Sequence, residues 1–158
     1  MMHRIIWETE QTQGVLQREL LTEPAASPFP DTAASIACGA AVKTQAKAIV
    51  CFTESGRSAR LLAKYRPSVP IVAFCSSETT RRHLALSWGV RSDELTGDSN
   101  VEAMVARVEE RLLDRKLAAK GDRIVIVFGA PVGERGHTNS VRLHEIRGPR
   151  GEVPSVRP

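Results

Sequence analysis

Aromatic side chains are scarce in this sequence: four Phe, two Trp and one Tyr make up 4% of 158 residues. A core with so few rings must rest on Val, Ile, Leu and Ala. Long apolar runs are missing too. A stretch such as Ile124 to Phe128 falls far short of the roughly 20 residues a membrane-spanning helix needs. The opening residues, Met1-Met2-His3-Arg4-Ile5-Ile6-Trp7-Glu8, turn acidic before a signal-peptide core forms. The expected location is therefore cytoplasmic, with no membrane partner. Cysteine is limited to Cys38, Cys51 and Cys75, each among small or apolar neighbours and none in a CxxC pair, which fits buried, reduced thiols. His3, His83, His137 and His144 have no metal-ligand spacing, so no metal is expected. Neither a Walker A loop nor a GxGxxG turn is present. The charge imbalance is small, 22 basic against 18 acidic residues. The basic residues are interleaved with Glu rather than gathered, which argues against nucleic acid as a partner.

What is present describes one soluble domain: 42% apolar and 25% charged residues, in a chain long enough to bury a proper core. Residues 3–21 read as a helix, with Ile5, Ile6, Thr9, Gln13, Leu16 and Leu20 near one face. Pro24, Ser27, Pro28 and Pro30 break the chain. Asp31 or Thr32 is expected to cap a second helix of small residues running to about Gln45. Beyond it, strands alternate with helices. Ala48–Phe52, Pro70–Phe74 and Arg123–Phe128 are continuous apolar runs suited to strands buried on both faces. Val90–Leu95 is a weaker strand, and Ser140–Ile146 alternates like a half-exposed edge. Helices are expected at Ser58–Tyr65, Glu78–Trp88 and Val101–Ala119, the last with an apolar stripe through Val105, Val108 and Leu112. The pattern predicts an α/β fold over residues 1–147 and a disordered tail over 148–158, where Pro, Gly and Arg dominate.

In a mostly parallel sheet, ligands bind outside the carboxyl ends of the strands. Two loops fall there. After the first strand comes Thr53-Glu54-Ser55-Gly56-Arg57-Ser58, which offers hydroxyls, a permissive Gly and an Arg at a helix N-terminus. Free N–H groups and the helix dipole make such a turn an anion site, with Thr53, Ser55, Gly56, Arg57 and Ser58 as the cradle. The alternative is an ordinary turn in which Ser55 or Ser58 caps the helix. The second loop follows the strand Arg123–Phe128. It is long and glycine-rich, and carries Arg135, Gly136, Thr138 and Asn139 as candidate contacts for a second phosphate or a sugar. No acid/base pair or ordered triad points to an active site of the chain's own.

These residues fall into a recognisable order. The stretch from Ala46 to Ala59, with its Thr-x-Ser-Gly-x-Ser-Ala loop, resembles the signature of the carboxy-terminal regulatory domain of pyruvate kinases. So do Lys64-Tyr65-Arg66-Pro67 with Pro70-Ile71-Val72-Ala73, Thr80-Arg81-Arg82, Trp88-Gly89-Val90, Lys120-Gly121-Asp122 and Gly136-His137-Thr138-Asn139. The likeness runs over residues 2–147. It implies a three-layer α/β/α sandwich with a five-stranded mixed sheet in the order 3-2-1-4-5, the last strand antiparallel. It also implies an allosteric effector site, for a sugar phosphate or a nucleoside monophosphate, and contact between subunits or with a catalytic barrel. The family enzyme transfers phosphoryl from phosphoenolpyruvate to ADP with magnesium and potassium, using a barrel that precedes this domain. Residue 1 falls where that barrel hands over, so no cofactor is expected in this chain and no catalysis by it alone. Animal enzymes place Trp-Arg-Pro in the last loop to help hold fructose bisphosphate. Ala130-Pro131-Val132 stand here, as in bacterial forms, which leaves the effector's identity open. Two further readings are a free-standing phosphometabolite-binding regulator and a purely structural oligomerisation module.

Overall fold

The computed structural model describes residue 4 and residues 28–94, 100–130 and 138–148. The expected first helix and the tail beyond Gly148 lie outside them. The elements run α1 (Pro28–Lys43), β1 (Ala48–Phe52), α2 (Arg57–Lys64), β2 (Ile71–Phe74), α3 (Glu78–Leu84), β3 (Val90–Asp93), α4 (Val101–Asp114), β4 (Arg123–Phe128) and β5 (Ser140–Glu145). The sheet order is β3-β2-β1-β4-β5. The first four strands of that order pair in parallel, and β5 runs antiparallel to β4.

The alternation of side chains along a strand sends one sequence to two cores. Ile49 and Cys51 of β1, Ile71 and Ala73 of β2, and Val125 and Val127 of β4 pack on one side, with α1, α2 and Leu84 of α3. Ala48, Val50, Val72, Phe74, Ile124 and Ile126 face the other side and meet Val105, Val108 and Leu112 of α4. Helices on both faces make the three-layer sandwich. Burying one such Val, Ile or Leu contributes about 1.5–3 kcal/mol, so the sheet residues dominate stability. Ala34, Ala37 and Ala41 form the inner face of α1 and let its backbone lie close to the sheet. The three thiols are buried, and burial pushes Cys38 and Cys51 up to about 12. They are inert thiols at neutral pH.

The helix ends differ from their sequence-based positions, and the reason is local chemistry. The helix α1 starts at Pro28, so neither Asp31 nor Thr32 is its cap. Proline suits a first turn, where its missing N–H goes unused. The helix α4 stops at Asp114 rather than Ala119 because Lys116 turns left-handed, at φ 54°. The Lys116 N–H then reaches the Leu113 carbonyl at 3.0 Å and the Leu117 N–H reaches the Leu112 carbonyl at 2.9 Å. This is the paired closure that satisfies the last carbonyls of a helix. Gln45, at φ 52°, closes α1 in the same way, its N–H reaching the Val42 carbonyl and the Ala46 N–H the Ala41 carbonyl. After α3, overlapping turns from Ala85 to Ser87 replace the helix expected as far as Trp88.

Inside the first turn of α1, Asp31 ties that helix to α2. The Tyr65 hydroxyl donates to its carboxylate at 2.7 Å and the Lys64 ammonium at 3.1 Å. The Tyr65 hydrogen bond, with Lys64 assisting and burial opposing, holds the Asp31 carboxyl below the usual aspartate value. A depressed carboxyl stabilises the fold above its unfolded value, near pH 3.9, and that contribution is lost as pH falls through the lower folded value. Tyr65→Phe is expected to destabilise the domain by about 1–2 kcal/mol at pH 7 and to flatten the loss of stability below about pH 4. Urea unfolding of both proteins across that range checks it. Equal stability at pH 7 would show that the tie contributes nothing.

Candidate functional site

The site grows from the carboxyl end of β1. At the end of the strand the Thr53 N–H still donates to the Phe74 carbonyl of β2, at 3.0 Å, so the chain leaves the sheet only after Thr53. It must then reverse into α2 within three residues. Gly56 makes the reversal at φ 78°, in the left-handed region that glycine enters without steric cost. A side chain there would also meet the Arg60 guanidinium at 2.8 Å and Leu84 at 3.1 Å. The turn is braced from α3, where the Thr80 hydroxyl donates to the Glu54 carbonyl at 2.8 Å.

Gly56 is the cap residue of α2, and no side chain caps the helix. The alternative of a serine-capped turn is therefore not the arrangement present: neither Ser55 nor Ser58 closes the helix end. Its first backbone bond runs from the Arg60 N–H to the Gly56 carbonyl, at 3.0 Å. The N–H groups ahead of Arg60 have no acceptor within the helix, and the positive end of the dipole is unopposed by any acidic residue in the first turn. By contrast, Ser77 caps α3 through the Thr80 N–H and Asn100 caps α4 through the Glu102 N–H. Ser55 and Arg57 are exposed beside this bare end, and Thr53 is half-buried.

The second loop comes to the same place. Ser58 is buried, and its hydroxyl lies 2.7 Å from the Thr138 hydroxyl, across 80 residues of sequence. The strand β4 neighbours β1 in the sheet, so the turns after both strands share one edge of the molecule. Asn139 acts locally. Its side-chain amide accepts from the Ala130 N–H at 2.9 Å and donates to the Ala130 carbonyl at 2.7 Å, a clasp that closes the mouth of the loop. Arg135 and Gly136 lie outside the described residues. The bracing by Thr80 and the packing of Leu84 beneath Gly56 have no local signal in the sequence, since both come from the third helix. Among the described residues, no group of three His, Cys, Asp or Glu side chains could hold a metal ion, and no helix is long and apolar enough to cross a membrane.

Fold and loop together define a class: a mixed α/β domain whose uncapped helix end stands at the carboxyl edge of a five-stranded sheet. The chain matches the family of the pyruvate kinase alpha/beta domain over residues 31–144, and it belongs to that family. It is 34% identical over 148 residues to pyruvate kinase of Geobacillus stearothermophilus, covering 92% of this chain and 25% of that protein. To pyruvate kinase of Agrobacterium vitis it is 35% identical over 147 residues, covering 92% of this chain and 30% of that one. The chain thus spans less than a third of the curated relatives it matches. Its fold is similar to that of Cryptosporidium parvum pyruvate kinase in complex with ADP, with TM-score 0.70, 24% identity, 92% of this chain and 27% of that chain covered.

Gly56→Ala is expected to cost about 1–2 kcal/mol, the penalty for placing an L side chain in left-handed backbone. The Arg60 side chain must also move, so the turn should lose its fixed shape. Denaturant melts measure the first effect, and amide hydrogen exchange at 53–58 the second. Unchanged stability together with unchanged protection would mean that the turn tolerates a side chain.

Proposed function

We propose that this chain is the effector-binding and subunit-contact domain of a pyruvate kinase. In this reading it regulates an enzyme that moves phosphoryl from phosphoenolpyruvate to ADP and carries no step of that chemistry itself. The effector is a sugar phosphate or a nucleoside monophosphate. The observation that carries the reading is the bare N-terminus of α2, placed at the end of the central strand and across from Thr138. A phosphate there accepts from the free N–H groups and from the hydroxyls of Thr53, Ser55 and Ser58. Gly56 makes the turn that aims the helix end, and Arg57 adds charge when it turns inward. Ser58 and Thr138 already face each other, so a ligand bound to one hydroxyl is felt by the loop carrying the other. That contact supports a route by which binding at one loop reaches the other.

Calorimetry with a panel of phosphometabolites tests the effector site. The parent chain should bind at least one of them. A Ser55→Ala, Ser58→Ala double variant should bind it about tenfold or more weakly, as expected from losing charge-assisted hydrogen bonds of about 1.5–3 kcal/mol each. Equal binding by the two proteins would remove the loop from consideration. No binding by the parent would favour the structural module.

The exposed apolar residues support the second half of the reading. Phe29 and Ile36, seven residues apart on one face of α1, are 76% and 56% exposed, and Leu143 of β5 is 57% exposed. Among the described residues β5 pairs only with β4, so its other edge has no strand beside it. Apolar surface beside an open edge favours a second subunit. The parent should self-associate in light scattering at high concentration, and an Ile36→Glu, Leu143→Glu variant should shift toward monomer. A monodisperse parent monomer would contradict the contact role.

A further inference from the structure

We propose that a cleft between β3 and the end of α4 is a separate binding site for a small oxoanion, a compact carboxylate or phosphate. The cleft is open to solvent, has a volume of about 240 Å³ and is lined by Val72, Arg91, Ser92, Asp93, Arg115 and Leu117. That volume suits a small acid and not a nucleotide. It lies on the α4 side of the sheet, where Val72 and Leu117 belong to the second core. The α2 turn sits with the helices of the opposite face.

The charges of the cleft do not cancel. Asp93 accepts from the Arg115 guanidinium at 3.1 Å and, through the same oxygen, from the Glu94 N–H at 2.8 Å. Asp93 thus offsets one of the two guanidinium groups of the cleft. Arg91, two residues before it on the same side of β3, has no hydrogen bond or ion pair among the described residues. One positive charge is left over in a cleft with an apolar floor. The carbonyls at the end of α4 do not offset it. Those of Arg111, Leu112 and Leu113 are occupied by the N–H groups of Arg115, Leu117 and Lys116. A planar guanidinium fork beside a second guanidinium matches the paired oxygens of a carboxylate or phosphate, and the apolar floor takes a short carbon chain. The competing account is a solvated charge that protects an edge strand from pairing.

An NMR titration of the full chain separates the two, with inorganic phosphate in one arm and succinate in the other, at constant ionic strength. The site requires saturable shifts at the amides of Arg91–Asp93 and Arg115–Leu117 with at least one probe, and the arm that saturates identifies the anion. Arg91→Gln should weaken that binding about tenfold, the loss of one charge-assisted contact. Lys116→Gln, outside the lining, should leave it unchanged. The Ser55→Ala, Ser58→Ala variant should also leave it unchanged, so failure of the α2 site and failure of this one are read independently. Absence of saturable shifts at these amides with both probes, or equal binding by Arg91→Gln, would overturn the proposal and leave Arg91 as an edge-strand charge.

Discussion

The domain depends on one strand being enclosed on every side. Ala48, Ile49, Val50 and Cys51 of β1 are fully buried, with β2 bonded along one edge and β4 along the other. No backbone N–H or carbonyl in such a strand can turn to water, so the flanking strands must hold their register or leave polar groups unpaired at a cost of about 1–3 kcal/mol each. The register places Phe52 beside Phe74 and Cys51 beside Val127. The turns after β1 and β4 therefore emerge side by side. Ser58 meets Thr138 as a consequence of sheet pairing, with no attraction needed between two distant loops.

That dependence explains which features are legible in the sequence. The central strands are legible because burial on both faces demands an unbroken apolar run, and Ala48–Phe52 and Arg123–Phe128 supply it. The turn at Thr53–Ser58 is legible for the same reason, since a polar, glycine-bearing stretch after a buried strand has one place to go. Helix ends are harder to read. Gln45 and Lys116 close α1 and α4 in left-handed backbone, where glycine is the usual signal, and neither residue type announces that role. The early start of α1 is hidden as well, because Asp31 looks like a cap and instead spends its carboxylate on Tyr65. Asn139, a candidate ligand contact, also closes a loop on Ala130 through its amide, a contact the sequence does not announce. At the helix ends a polar side chain has two local uses, and tertiary contacts decide between them.

The bare end of α2 bears on stability. A serine or aspartate at the cap position would add about 1 kcal/mol to the domain. Glycine forgoes that, and the other two caps, at Ser77 and Asn100, show that this chain can place a capping side chain where nothing else occupies the helix end. A side chain at residue 56 is disfavoured by contact with Arg60 and Leu84 and by the left-handed backbone, so the uncapped end follows from how tightly the turn is packed. The same packing leaves the first N–H groups of α2 without an acceptor in the helix. Tight packing beneath the turn and openness above it are two sides of one arrangement.

Coverage of the sheet is unequal, and the inequality organises the outer surface. One face carries α1, α2 and part of α3, while among the described residues the other carries α4 alone. A single helix cannot span five strands at about 4.8 Å each. It lies over the centre and leaves the two margins to be finished by other means. At the β5 margin the finish is polar. Arg142 forks onto Glu102 at 2.6 and 3.2 Å, and His144 meets Glu109 at 2.6 Å, so alternate residues of the edge strand lock onto α4. At the β3 margin the Arg115–Asp93 pair reaches across from the helix end but fills less space, and the cleft beside Arg91 is what remains. The β5 margin is thus closed toward α4, and its exposed Leu143 looks to the other face, where Phe29 and Ile36 of α1 are also uncovered. The sheet face with more helices thereby carries the exposed apolar residues, and the face with fewer carries the charged cleft.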